Sequence, residues 1–140
     1  MTRYSVTRTI AAGPQVIWEL LTNAPAYLAW NPAVLGIEGE IREGQTIRLT
    51  SIVNPDRRFK LKVSDVEPPR HMVWSDGIPL GLFRGARSFD VVPRGDGTSE
   101  FKMEEVYSGL MAPLITRSIP EMTDSFEKFA DGLKEAAESQ

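Results

Sequence analysis

MAPLITRSIPEMTDSFEKFADGLKEAA, residues 111–137, carries apolar side chains at Met111, Ile115, Ile119, Met122, Phe126, Phe129, Leu133 and Ala136. Steps of four and three place them on one face of an α-helix, with Glu121, Asp124, Lys128, Asp131, Lys134 and Glu135 on the other. Such a helix is not stable alone in water and needs an apolar surface to lie against. The methionines and phenylalanines of the face suit either an irregular core or the wall of a variable ligand site. Pro120 interrupts the stripe, and in a helix interior it would cost about 3 kcal/mol. Ser118 followed by Glu121 reads as a capping box, which sets Pro120 in the tolerant first turn. The expectation is a short lead-in over residues 112–117 and a main helix over residues 119–138.

The rest of the 140-residue chain is the size of one domain, with 41% hydrophobic and 25% charged residues, as in a globular protein. A net charge of −3 argues against a nucleic-acid partner. The absence of cysteine excludes disulfides, a thiolate nucleophile and Cys-based metal sites. No stretch approaches the ~20 apolar residues of a membrane span, and residues 1–10 alternate rather than forming a signal-type apolar run. The location expected from this is cytoplasmic.

Tyr4, Val6, Arg8 and Ile10 alternate with polar neighbours and read as a first strand. Pro14 then opens a helix whose stripe is Val16, Ile17, Leu20 and Leu21, ending near Thr22. Asn23 suits the cap of a second short helix that stops before Trp30-Asn31-Pro32. Beyond it come six apolar runs, residues 34–40, 46–53, 59–67, 71–76, 83–93 and 98–107, separated by turn signals that include Asn54-Pro55-Asp56 and Pro68-Pro69. Short connections between successive strands make an antiparallel meander. Alternation assigns one inward face to Ile47, Leu49, Ser51 and Val53, to Phe59, Leu61 and Val63, and to Met72 and Trp74. Phe83, Gly85, Arg87, Phe89 and Val91 share it, as do Phe101, Met103, Glu105 and Tyr107. Two charges, Arg87 and Glu105, stand out on that apolar face.

With this order of elements, the chain resembles the START-like, helix-grip (SRPBCC) superfamily, in its bacterial polyketide cyclase/dehydrase-like branch. The matching residues are Val16-Ile17-Trp18, Trp30-Asn31-Pro32, Val66-Glu67-Pro68-Pro69-Arg70 leading to Met72-Val73-Trp74, then residues 83–89, Gly97-Thr98 and Glu105 with Gly109-Leu110. The resemblance spans nearly the whole chain, so residues 1–140 form a single domain. It implies an α+β fold, a seven-stranded antiparallel sheet curled around a long C-terminal helix, with two short helices between the first and second strands. It also implies a cavity between sheet and helix, in which members bind lipids, sterols, polyketides or aromatic compounds.

Facing strands of the last hairpin carry Arg87 and Glu105, close enough to meet. A charge turned toward an apolar interior is costly unless paired. Two readings stay open, a structural ion pair or a polar anchor in which Arg87 fixes a carboxylate, phenolate or carbonyl oxygen. The cavity candidates around them are Trp74, Phe89, Tyr107, Met111, Met122, Phe126 and Trp30. His71, the only histidine, falls in the opposite phase and reads as an exposed strand start, so no metal site or cofactor is expected. Arg57-Arg58 with Lys60 and Lys62 reads as a solvated hairpin. The apolar loop at residues 77–81 suits a lid over the cavity mouth or half of a homodimer contact. Three functions follow: binding of a small apolar or aromatic ligand; a metal-free cyclase/dehydrase-like lyase or isomerase with Glu105 as acid/base; or an interaction module whose cavity its own side chains fill.

Overall fold

A computed structural model describes residues 2–140. Strand β1 (Thr2–Ile10) is followed by helix α1 (Pro14–Thr22), a 3-10 turn (Ala24–Ala26) and helix α2 (Tyr27–Trp30). Six strands come next: β2 (Val34–Glu38), β3 (Thr46–Ser51), β4 (Asn54–Glu67), β5 (His71–Ile78), β6 (Phe83–Pro93) and β7 (Ser99–Ser108). Helix α3 (Ala112–Ile115), a second 3-10 turn (Thr116–Ser118) and helix α4 (Thr123–Glu138) complete the chain. The strands form one antiparallel sheet in the order β1-β7-β6-β5-β4-β3-β2, curled around α4, which is the helix-grip architecture.

Alternation within β6 and β7 decides which side of the sheet is core. Phe89 pairs with Met103 and Val91 with Phe101, and all four are buried. From the other side α4 brings Phe126, Phe129, Ala130, Leu133 and Ala137. Ala137, rather than Ala136, ends the buried stripe. The centre is aromatic: the Phe129 ring meets Trp30 at 5.9 Å, Phe89 at 6.0 Å, Tyr27 at 6.2 Å and Phe101 at 6.5 Å. Tyr27 plugs the deep end, its hydroxyl donating to the Leu21 carbonyl at 2.5 Å.

Pro120 acts differently from the capping-box reading. Ile119 takes an extended conformation (φ −85°, ψ 127°), as a residue before proline prefers, so the helix is broken rather than kinked. Ser118 donates to the Ile115 carbonyl instead of capping anything, and α4 begins only at Thr123. Its start is held by Glu121, whose carboxylate accepts from the Thr123 amide at 2.9 Å and from the Thr123 hydroxyl. A carboxylate there also meets the positive end of the helix dipole. A second difference lies in the β3–β4 hairpin. Its turn is Ile52-Val53, since Ser51 already pairs with Asn54, and Asn54-Pro55-Asp56 is strand.

Strand β1 lies at the sheet edge and α4 runs along it. Arg8 Nε donates to Asp131 Oδ1 at 2.8 Å and a terminal nitrogen of Arg8 reaches Glu127. Lys134 donates to the Thr9 carbonyl at 2.8 Å, and Glu138 accepts from the Ala11 amide at 2.8 Å.

Gly132 brings α4 against the segment after α2. A Cβ there would lie 2.5 Å from the Trp30 carbonyl oxygen and 2.7 Å from Pro32 Cδ. Gly132→Ala, which in a free helix would gain about 1 kcal/mol, should therefore destabilise by about 1–3 kcal/mol in denaturant unfolding. Phe129→Ala should cost about 3–5 kcal/mol in the same measurement, because its neighbours are rings that cannot close the void.

Candidate functional site

A cavity of about 190 Å3 opens between the outer halves of β3–β7 and the segment that joins α3 to α4. The extended stretch at the Pro120 break borders this space, with Ile119 and Pro120 both on its wall. Leu49, Phe59, Leu61, Phe83, Ile115, Ile119 and Met122 supply apolar wall.

Arg87 and Glu105 face each other across β6 and β7 and both line the cavity. Arg87 Nε donates to Glu105 Oε1 at 2.9 Å, with side-chain exposures of 11% and 13%. The Tyr107 hydroxyl donates to the other carboxylate oxygen, Oε2. Burial first, and the Glu105 charge second, push the Tyr107 phenol up, so it keeps its proton for that bond. The Arg87 guanidinium lies 4.7 Å from the centroid of the Phe126 ring, a cation–π contact on its α4 side. Both oxygens of Glu105 are thus engaged, while the terminal nitrogens of Arg87 have no partner among the described residues.

Of the residues singled out from the sequence, Arg87, Glu105, Trp74, Tyr107 and Met122 line the cavity together. Trp74 sits directly across the sheet from Arg87, and its buried indole Nε1 has no hydrogen-bond partner among the described residues. Four others are placed elsewhere. Phe89 is buried deeper, its ring 4.5 Å from that of Trp74, and Phe126 lies beneath Arg87 as its cation–π partner. Trp30 packs on Tyr27 and Phe129 at the deep end. Met111 is spent on the chain turn before α3, its amide donating to the Leu82 carbonyl at 2.7 Å. The deep half of the grip is therefore filled by rings and only the outer half is hollow.

The loop at residues 77–81 contributes nothing to the cavity wall; its Gly81 carbonyl instead accepts from the Leu110 amide at 3.1 Å. Val53, Asn54 and Arg57 line the cavity from the β3–β4 hairpin, and Ser118 and Pro120 line it from the segment before α4. His71 lies away from the cavity, its Nδ1 2.8 Å from Asp90 Oδ1 across β5 and β6.

Two charged lining residues escaped the sequence reading. Asp76 is the next inward position of β5 after Met72 and Trp74, and Arg57 is in phase with Phe59 and Leu61 on β4. Extending either alternation by two residues would have found them. Asp76 packs over Gly85, where a Cβ would lie 3.0 Å from Asp76 Oδ1 and 3.2 Å from the Tyr107 ring, so only glycine admits both groups without a shift. Partial loss of water, then the nearby Glu105 charge, push the Asp76 carboxyl up, against the pull of Arg57.

The polyketide cyclase / dehydrase and lipid transport family matches residues 1–138. No curated relative matches the sequence. Among solved structures the chain is similar to protein MLL2253 from Mesorhizobium loti, at 19% identity and a TM-score of 0.74, covering 99% of this chain and 98% of that one. A START superfamily protein from Mycobacterium smegmatis aligns at 17% identity and a TM-score of 0.67, over 98% and 94% of the two chains. Truncated norcoclaurine synthase from Thalictrum flavum aligns at 18% identity and a TM-score of 0.68, over 96% and 91%.

Two measurements test the electrostatics. Arg87→Met or Glu105→Gln alone should cost about 3–5 kcal/mol by leaving a buried group unpaired, and the double variant should recover much of that loss. Asp76 should carry a pH signature. Its raised folded-state pKa means that the folded chain holds the proton more tightly, so stability falls as pH rises from the unfolded value through the folded one. Asp76→Asn should remove that fall in pH-dependent unfolding and leave stability below the window unchanged.

Proposed function

The chain belongs to the polyketide cyclase / dehydrase and lipid transport family, and on that premise we propose that it binds a small aromatic ligand in the cavity beneath Pro120. A single observation carries this reading. Arg87 is held rigid by Glu105 and Phe126, yet its terminal nitrogens face an apolar cavity without partners. The open guanidinium nitrogens suit a carboxylate, phenolate or carbonyl oxygen on a flat ring, because the low local dielectric strengthens each bond. A cavity of about 190 Å3 lies below the usual range for drug-sized ligands. An apolar cavity of about 150 Å3 already takes benzene, so one or two rings match the space.

Two other readings use the same fold. A cyclase, dehydrase or isomerase with Glu105 as base is less favoured, because each Glu105 oxygen already accepts a hydrogen bond, from Arg87 and from Tyr107, that a proton transfer would have to disturb. An interaction module with a filled interior describes the deep half of the grip but not the outer half.

The test is calorimetric titration with 2-naphthoate, an anionic bicyclic probe. The Arg87→Met, Glu105→Gln double variant, which strands no charge, should bind it about 10-fold or more weakly than the unaltered protein. Equal affinity in both proteins would remove Arg87 from the site.

A further inference from the structure

Among the charged groups of the cavity wall, one carboxyl is uncommitted. Glu105 accepts through both oxygens, but Asp76 has no ion pair within 4.0 Å and no side-chain hydrogen bond to another residue among the described residues, only one to its own backbone amide. Asp76 lies one inward step beyond Trp74 on β5, toward the open end, over the space that Gly85 leaves clear. A carboxylate accepts hydrogen bonds and donates none. Arg87 offers donors to one part of a ligand, and Asp76 offers an acceptor to another. We propose that the ligand is an aromatic hydroxyl compound, a phenol or enol, whose O–H donates to Asp76 while its ring occupies the apolar wall.

This inference rests on the cavity reading above and specifies the ligand's second polar group. The groups facing Asp76 exclude the alternative donor, a cationic amine. Arg57 comes from β4, Arg87 from β6, and Glu105 and Tyr107 from β7, while the segment between α3 and α4 lines the site with Ile115, Ser118, Ile119, Pro120 and Met122. With Asp76 and Glu105 set against Arg57 and Arg87, the four charges of the wall sum to zero, so an ammonium group finds no net attraction to offset its lost hydration. A neutral hydroxyl has no such charge to desolvate. Its donation favours the charged form of Asp76, whose proton affinity the site raises, so binding and deprotonation are linked. Affinity for the hydroxyl compound therefore rises as pH passes upward through the Asp76 titration.

The experiment compares 2-naphthol with 2-methoxynaphthalene, which has the same rings and no donor. Each is titrated from below to above the usual carboxylate range against the unaltered protein, Asp76→Asn and Asp76→Leu. The unaltered protein should prefer 2-naphthol by about 10-fold above the Asp76 titration and keep only part of that preference below it, where the protonated carboxyl still offers a neutral carbonyl oxygen. Asp76→Asn retains an accepting oxygen but does not titrate, so it should keep part of the preference and lose its pH dependence. Asp76→Leu should abolish the preference, and 2-methoxynaphthalene should bind all three proteins alike. Equal binding of the two compounds to the unaltered protein would overturn the inference and leave the cavity reading intact, as would a preference and pH step that survive in Asp76→Asn. Binding of neither compound to the unaltered protein would overturn the cavity reading and the inference with it.

Discussion

A single sheet must wrap one face of a helix, and this geometric demand governs the molecule. α4 presents Phe126, Phe129 and Leu133 to the sheet, and a flat sheet would bury only part of that stripe. Curvature comes from local breaks in strand pairing, which bend a strand and increase its twist. Here they are unevenly distributed. β1–β7, β6–β7 and β5–β6 pair in continuous register, whereas β2–β3, β3–β4 and β4–β5 each contain a shift. The last coincides with Asp65 at φ 54°, a left-handed conformation that a non-glycine residue adopts only under constraint. The regular half of the sheet supplies the ring-filled core, and the outer parts of β3 and β4 belong to the hollow.

That division explains how a buried ion pair and a cavity coexist. Arg87 and Glu105 lie where the filled and hollow halves meet. On the filled side Phe126 covers the guanidinium, and on the hollow side its terminal nitrogens remain open. Tyr107 completes the carboxylate's bonding with a proton that burial keeps on the phenol. A pair so enclosed contributes little net stability against an apolar replacement, but it fixes the direction in which Arg87 points. Orientation is the property a recognition site needs.

The fold was legible because its two periodicities are clean. Phe83 to Val91 and Phe101 to Tyr107 alternate without interruption, and the stripe from Met122 to Leu133 repeats at helical spacing, so strand faces and helix face followed from arithmetic. The juxtaposition of Arg87 and Glu105 followed from the same phase. Depth did not. Alternation says which side of a sheet a residue takes, not how far along the grip it lies, and Phe89 and Trp30 were therefore placed with the cavity when they belong to the core. Nor did the break at Pro120 follow, since Ser118 and Glu121 satisfy a capping pattern that local geometry does not use. The apolar pair Ile52-Val53 forms a turn that the more turn-like Asn54-Pro55-Asp56 concealed, and with it the inward phase of Arg57.

The polar bonds between α4 and β1 carry a consequence for solubility. An edge strand exposes unpaired backbone groups that can recruit a strand from another molecule. On β1 the helix blocks that template: the Lys134 ammonium occupies the Thr9 carbonyl, the Glu138 carboxylate occupies the Ala11 amide just beyond the strand, and Arg8 is tied down by Asp131 and Glu127. The opposite edge, β2, is only five residues long and interrupted by a register shift at Gly36, which makes it a poor template by itself. The last two turns of α4 therefore guard the sheet as well as filling it. Fraying them would free the Thr9 carbonyl and the Ala11 amide at the end of a nine-residue edge strand and turn a local loss of helix into a route to intermolecular β-pairing.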